Sequence, residues 1–249
     1  MTAPPADLLR HLEIVEQERQ HRAALPGLLA KVTALKAFQQ RRFSHTYADL
    51  LASDRYGAAA RYFLDELYGP IDFAQRDAQF ARVAPAVARI FPDEVAGTVA
   101  TLAELHALSE LLDTAMGRQL AEEPITASGY IAAWQRVDRA ADRERQIELT
   151  LGIAAQLDRI TRLPLLRNAL RLMRAPARAA GLCELQHSLE AGFDAFRAMK
   201  GAQEFIALIG VRERAFAAAV FAAHSGDTEG DGSMKRALAV LPPARTDPG

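Results

Sequence analysis

The sequence predicts an all-α fold, a single multi-helix bundle of about nine to eleven helices. Three observations predict it. Apolar residues recur at spacings of three and four along most of the chain, the pattern of helices with one buried side. Alternating Val/Ile/Thr runs bounded by turn residues, which would mark strands, are absent. No Gly/Pro/Ser-rich linker interrupts residues 7–224 and no repeat of fixed period emerges, so one helical domain with short, often antiparallel connections is expected. Residues 1–6 read as a flexible N-terminus. Residues 225–249, rich in Gly, Asp, Ser and Pro, read as a disordered tail.

The elements follow in order. Leu8, Leu12 and Val15 form one stripe of a helix from Asp7 to near Ala24, punctuated by Pro26 and Gly27. Leu28, Val32, Leu35 and Phe38 align a second helix to about Arg42, followed by a short piece around Tyr47–Leu51. Ser53 suits an N-cap for a helix from Asp54 that should stop at Gly69-Pro70, since proline cannot continue the backbone ladder. Asp72 can cap the next helix, which reaches Ile90 and should bend at Pro85, where the amide donor is missing. The longest apolar pattern runs from Asp93 to about Leu120 and implies a largely buried, central helix. Thr126 caps a helix holding Tyr130 and Trp134, Asp142 begins another through Ile160, and nothing between them demands a break. Pro164 opens a short helix, Pro176 a longer one to Lys200-Gly201, and the last runs from Ala202 to His224.

Composition limits function. With 249 residues, 50% of them hydrophobic and 24% charged, the chain is neither disordered nor fibrous. Cys183 is the only cysteine, which rules out an intramolecular disulfide and a multi-cysteine zinc site and suits a reducing compartment, so a cytoplasmic location is expected. Thirty basic against thirty-one acidic side chains speak against general nucleic-acid binding. Met1–Arg10 lacks a signal-peptide pattern, and no stretch approaches the roughly 18 apolar residues of a membrane span.

Tyr62-Phe63-Leu64-Asp65-Glu66-Leu67-Tyr68-Gly69-Pro70 resembles the signature of the FFLEELY motif proteins, an uncharacterised bacterial family, with Tyr62 and Asp65 as conservative departures. The resemblance implies a helical protein of similar length and brings no active site or ligand with it. Read physically, Phe63 and Leu67 share a core face, and the segment is a helix terminus fixed by aromatic packing. The sharper reading places Glu66 and Tyr68 in a polar pocket at that end.

Metal sites in helical bundles draw Glu and His from several helices, with Glu-x-x-His placing two ligands on one face. Glu184 and His187 have that spacing, His106 and Glu110 lie one turn apart, and Glu66 and Glu148 could add oxygens from other helices. A second Glu-x-x-His is missing, and ordinary surface pairing competes for Glu184. Thr101–His106 also looks like the globin helix that carries the proximal haem ligand, against the alternative of a partly buried structural histidine.

Nucleophilic catalysis has no support. Cys183 reads as a packed thiol, and nucleophile elbows and glycine-rich phosphate loops are absent. Arg136, Arg139, Arg143 and Arg145 could hold an anion, but the interleaved acids favour a salt-bridged solvated face. Arg41 and Arg42 beside Phe43, His45 and Tyr47 suit a helix junction or a partner surface better than a nucleic-acid site. Phe193, Phe196, Phe205, Phe216 and Phe221 read as core that can frame an apolar pocket or an oligomer interface. The leading expectation is a module that binds a protein partner, a second copy or an apolar small molecule, with Glu66, Tyr68, His106 and Arg143 as ligand-binding candidates. The alternative is a metal- or haem-dependent oxidoreductase using Glu66, His106, Glu110, Glu148, Glu184 and His187. No catalytic residue and no definite cofactor are assigned.

Overall fold

A computed structural model describes residues 6–66, 79, 82, 93–121, 124–163, 165–223 and 232–243, and the regular structure among them is helical, with no strand. Helices α1 (Ala6–Ala23) and α2 (Pro26–Thr46) form a hairpin, with Pro26 in the first turn of α2, where its missing amide costs nothing. A single helical turn, Ala48–Leu51, leads to Ser53, whose Oγ accepts the amides of Arg55 and Tyr56 at 3.2 Å each. This bond caps the turn just before α3 (Gly57–Glu66) rather than α3 itself.

The long α4 (Asp93–Gln119) is central, packing against α1, α2, α5 (Ala127–Val137) and α6 (Ala140–Ile160). Thr126 caps α5 as expected, its Oγ1 accepting from the Gly129 amide at 3.0 Å. The chain does break between α5 and α6. Asp138 adopts the left-handed conformation (φ 48°), which Asp tolerates better than most residues, so the break carries no Gly or Pro signal.

Beyond α6 come α7 (Leu166–Leu172), α8 (Arg174–Ala179), α9 (Cys183–Ala198) and α10 (Gln203–Ala222). The single helix expected from Pro176 to Lys200 is two helices, because Gly181 takes a positive φ of 69° and ends the first. Cys183 therefore lies in the first turn of α9 and is exposed, not packed. The expected stop at Lys200-Gly201 is present, both residues having positive φ.

The stretch read as a disordered tail contains a packed helix, α11 (Ser233–Ala239). Ala237 and Leu241 are buried against the core around Trp134 and Phe216, so a short apolar pattern inside a polar composition is rescued by tertiary contact. The Gly69-Pro70 stop, the Asp72–Ile90 helix and its bend at Pro85 lie outside the described residues.

Registers can be read from individual contacts. Leu8 packs on Ala103, and Arg22 donates to Thr114 Oγ1 at 2.9 Å, so α1 runs parallel to α4. Helices α6 and α10 are antiparallel: Arg214 meets Glu144 at 2.7 Å, Gly210 faces Leu151, and the Ala202 amide donates to Asp158 Oδ1 at 3.2 Å. Two aromatic cores result. One gathers Phe38, Tyr130, Trp134 and Phe216; the other gathers Phe63, Phe196 and Phe205.

Two helix contacts depend on glycine. A Cβ at Gly117 would lie 2.6 Å from Val32 Cγ2, and one at Gly192 would lie 2.7 Å from the Tyr62 ring. Around Gly152 there is nothing within 4 Å. Gly117→Ala should therefore destabilise the protein by roughly 1–3 kcal/mol of overpacking despite better helix propensity. Gly152→Ala should stabilise it by about 0.5–1 kcal/mol, and urea denaturation midpoints of the two variants check both signs.

Candidate functional site

Between the two aromatic cores lies a cavity of about 250 Å³, walled mainly by α2, α4, α6 and α10, with α3 and α9 contributing at one side. Its chemistry changes along its length. On α6 the lining passes from Arg143 and Gln146 through Ile147 and Thr150 to Leu151 and Ala154, about 16 Å of helix. On antiparallel α10 it passes from Glu213 back through Ile209 and Ile206 to Phe205. The charged and amide positions of both helices therefore lie at one end and mainly apolar positions, with Thr150 among them, at the other. Helix α4 follows suit, with Asp113, Glu110 and His106 toward the polar end and Leu105 and Leu102 beyond.

The polar end is held by buried charge. Glu110 accepts from Lys36 Nζ at 2.6 Å through one oxygen and from the Arg22 guanidinium through the other. Burial by itself would raise this carboxyl, but Lys36, His106 and Arg22 together outweigh it and hold Glu110 below the usual carboxylate range. Asp113, one turn on, accepts from Gln39 Nε2 at 2.9 Å; here burial dominates, and the carboxyl titrates above its ordinary value.

Arg42 forms a two-pronged pair with Glu213 at 3.0 and 2.8 Å, and the Tyr47 hydroxyl donates to the same carboxylate. The guanidinium also stacks on Phe43 and Phe216, 4.3 and 4.8 Å from the ring centres. Burial works against its charge, yet Glu213 prevails and raises its pKa. Arg143 lies 4.2 Å over the Trp134 ring and donates to Gln146 Oε1 at 2.9 Å, while Gln146 in turn donates to Ser109. Burial raises the pKa of the Tyr130 hydroxyl between them, opposed by Arg42 and Arg143.

Of the residues singled out from sequence, His106, Glu110 and Arg143 all line this cavity. Arg143 leaves the salt-bridged surface read for its segment and is buried, whereas Arg139 and Arg145 keep to that surface with Asp142, Glu104 and Glu148. Glu148, Glu184 and His187 are exposed on α6 and α9 and do not join His106. Glu66 ends α3, but its side chain and all of Tyr68 lie outside the described residues. Among the described residues, no three of His, Cys, Asp and Glu come together as a metal site.

Residues 17–227 match the family described as Domain of unknown function (DUF8198). The chain belongs to the DUF8198 family. No curated protein and no solved structure matches it. The DUF8198 region contains α2, α4, α6 and α10 entire, and so the main walls of the cavity, whereas the lining residue Leu12 and helix α11 lie beyond it. Among the described residues no helix is long and apolar enough to cross a membrane.

Sequence reasoning missed Lys36, Gln39, Asp113 and Glu213. Asp113 had a readable signal, since an acid three residues from Glu110 within a largely apolar helix must be satisfied by something. Glu213 had none, because Arg42 is far away in the chain. The opposed shifts give a pH test. Glu110, depressed in the folded state, contributes stability that is present above its unfolded value of about 4.3 and lost as pH falls through its folded pKa. Glu110→Gln should flatten that acid limb and destabilise the protein by roughly 3–5 kcal/mol at neutral pH, as Arg22 and Lys36 lose their buried partner. Asp113 has the opposite sign, since its ionisation costs the folded state more than the unfolded. Asp113→Asn keeps an acceptor for Gln39 and should raise neutral-pH stability, a gain that vanishes below about pH 3.9. Denaturant titrations across pH check both.

Proposed function

We propose that this protein is a binding module for a small amphipathic molecule held between α2, α4, α6 and α10. The observation that carries the reading is the lengthwise polarity of the cavity: charged and amide groups, stacked on aromatic rings, at one end, and mainly aliphatic groups with Phe63 and Phe205 at the other. Such a gradient suits a ligand with a hydrogen-bonding head and an apolar body, because a wholly apolar guest would desolvate the polar end without compensation. Benzene occupies an apolar cavity of about 150 Å³, so this one suits roughly ten non-hydrogen atoms. A medium-chain or single-ring acid or alcohol has that size. His106 and Arg143 face this role together with Gln39, Asp113 and Gln146 as head-group contacts.

The metal- or haem-dependent alternative draws less support: His106 and Glu110 both line the cavity, but Glu148, Glu184 and His187 are exposed and do not line it, and a haem macrocycle alone has more than twice the atoms this volume takes. The likeness of Tyr62–Pro70 to the FFLEELY motif proteins belongs to the binding reading: Tyr62 lines the cavity against Gly192 and Phe63 packs on Phe196 and Phe205. The exposed free thiol of Cys183 fits a reducing, cytoplasmic setting.

Octanoic acid or octan-1-ol at saturation should raise the thermal midpoint of the full chain by roughly 5 °C. Native mass spectrometry should show one adduct per chain. Ile209→Phe, which fills the apolar end, should abolish the shift while leaving the unliganded midpoint nearly unchanged. The absence of both shift and adduct with either probe overturns the proposal.

A further inference from the structure

The stretch from Arg159 to Cys183 holds six arginines, at 159, 162, 167, 171, 174 and 178, and no acidic residue, in a chain whose formal net charge is −1. Half of these cations are spent on architecture. Arg162 pairs with Asp158, Arg167 with Asp194, and Arg174 with Glu190, and Gln186 donates to the Leu170 carbonyl at 2.7 Å. The last three contacts pin α7 and the start of α8 to α9, fixing which side of α7 faces inward. The other three arginines, Arg159, Arg171 and Arg178, are exposed and form no ion pair with an acid among the described residues.

The outward side of this unit is the reverse of what water favours. Leu165 and Leu172, seven residues apart and therefore two turns apart on one line, are 76% and 77% exposed. Leu163 and Met173 flank them at 41% and 44%, and α7 buries no residue at all. A single exposed leucine is ordinary, but two aligned on one line of a helix, with exposed Leu163 and Met173 beside them in the chain and three exposed arginines in the same stretch, form a surface that is both apolar and cationic. That combination suits a lipid leaflet, in which phosphates lie above acyl chains: arginine heads can meet the phosphates while leucine side chains reach the apolar layer. Nucleic acid fits less well, since the patch offers no aromatic ring on which a base can stack.

We propose that α7 and α8 form an interfacial patch by which the protein docks on anionic lipid bilayers, with Leu165 and Leu172 inserting and Arg159, Arg171 and Arg178 meeting the headgroups. The patch lies on the far side of α9 from the cavity and does not depend on the ligand reading.

Flotation of the full chain with vesicles tests it. Binding is expected to vesicles of phosphatidylcholine mixed with phosphatidylglycerol, to weaken as salt rises, and to be slight with phosphatidylcholine alone. Leu165→Ser combined with Leu172→Ser, which leaves the charge intact, should lower the partition coefficient about tenfold or more. Replacing Arg159, Arg171 and Arg178 with Gln should remove the preference for anionic lipid. All five sites are exposed, so the thermal midpoint should stay unchanged and a loss of binding will report on the surface rather than on folding. The proposal is overturned by equal binding to both vesicle types, by no binding to either, or by a leucine variant that binds like the original chain. It is equally overturned if light scattering shows a dimer that the leucine substitutions dissociate, or if the patch captures an acidic polypeptide while vesicles are ignored.

Discussion

Glu110 sets the constraint on which the rest of the structure depends. Its two oxygens are claimed by cations from different helices, Arg22 on α1 and Lys36 on α2, while the carboxylate itself belongs to α4. Arg22 extends the tie to Thr114, and Gln39 repeats it at Asp113, so three helices are locked in rotation and register by polar groups rather than by apolar packing alone. Taking these charges out of water is costly, and an ion network of this kind contributes direction more than net stability. Apolar stripes can slide by a turn; a carboxylate that must meet two cations cannot.

That lock also explains why the interior is not uniformly oily. A bundle with two separate aromatic cores needs something between them, and here the intervening layer is the Glu110–Lys36 and Arg42–Glu213 pairs at one level and the cavity beside them. Because α6 and α10 are antiparallel, the polar residues in the N-terminal part of one meet those in the C-terminal half of the other, and the gradient along the cavity follows from topology. Polar and apolar walls need no long-range plan in the sequence, only two helices that each carry their charged lining residue toward the same end.

Much of the fold was legible from residue spacing because helices write their burial at a period of three to four. Thr126, Lys200-Gly201 and the long apolar run of α4 could be read locally, since capping and stripe formation are decided within one or two turns. Asp138 and Gly181 were not, because a left-handed residue that ends a helix is selected by what packs on either side. The same holds for α11, where Ala237 and Leu241 acquire meaning only from Trp134 and Phe216. At the site, His106, Glu110 and Arg143 stood out by type and position, but Lys36 and Arg22, the partners of Glu110, and Gln39, the partner of Asp113, come from the N-terminal hairpin. Their role is a property of helix pairing and has no local signature.

The contact between Tyr62 and Gly192 has a consequence for how such proteins diversify. The aromatic side chain that walls the cavity rests directly on main chain, at a spot where not even one methyl group fits. A lineage that acquired alanine at 192 would have to move the phenol ring, reshaping the chamber without touching any residue of its polar end. The size of the chamber and the chemistry of its polar end are thus set by different helices, and the first can change while the second stays as it is.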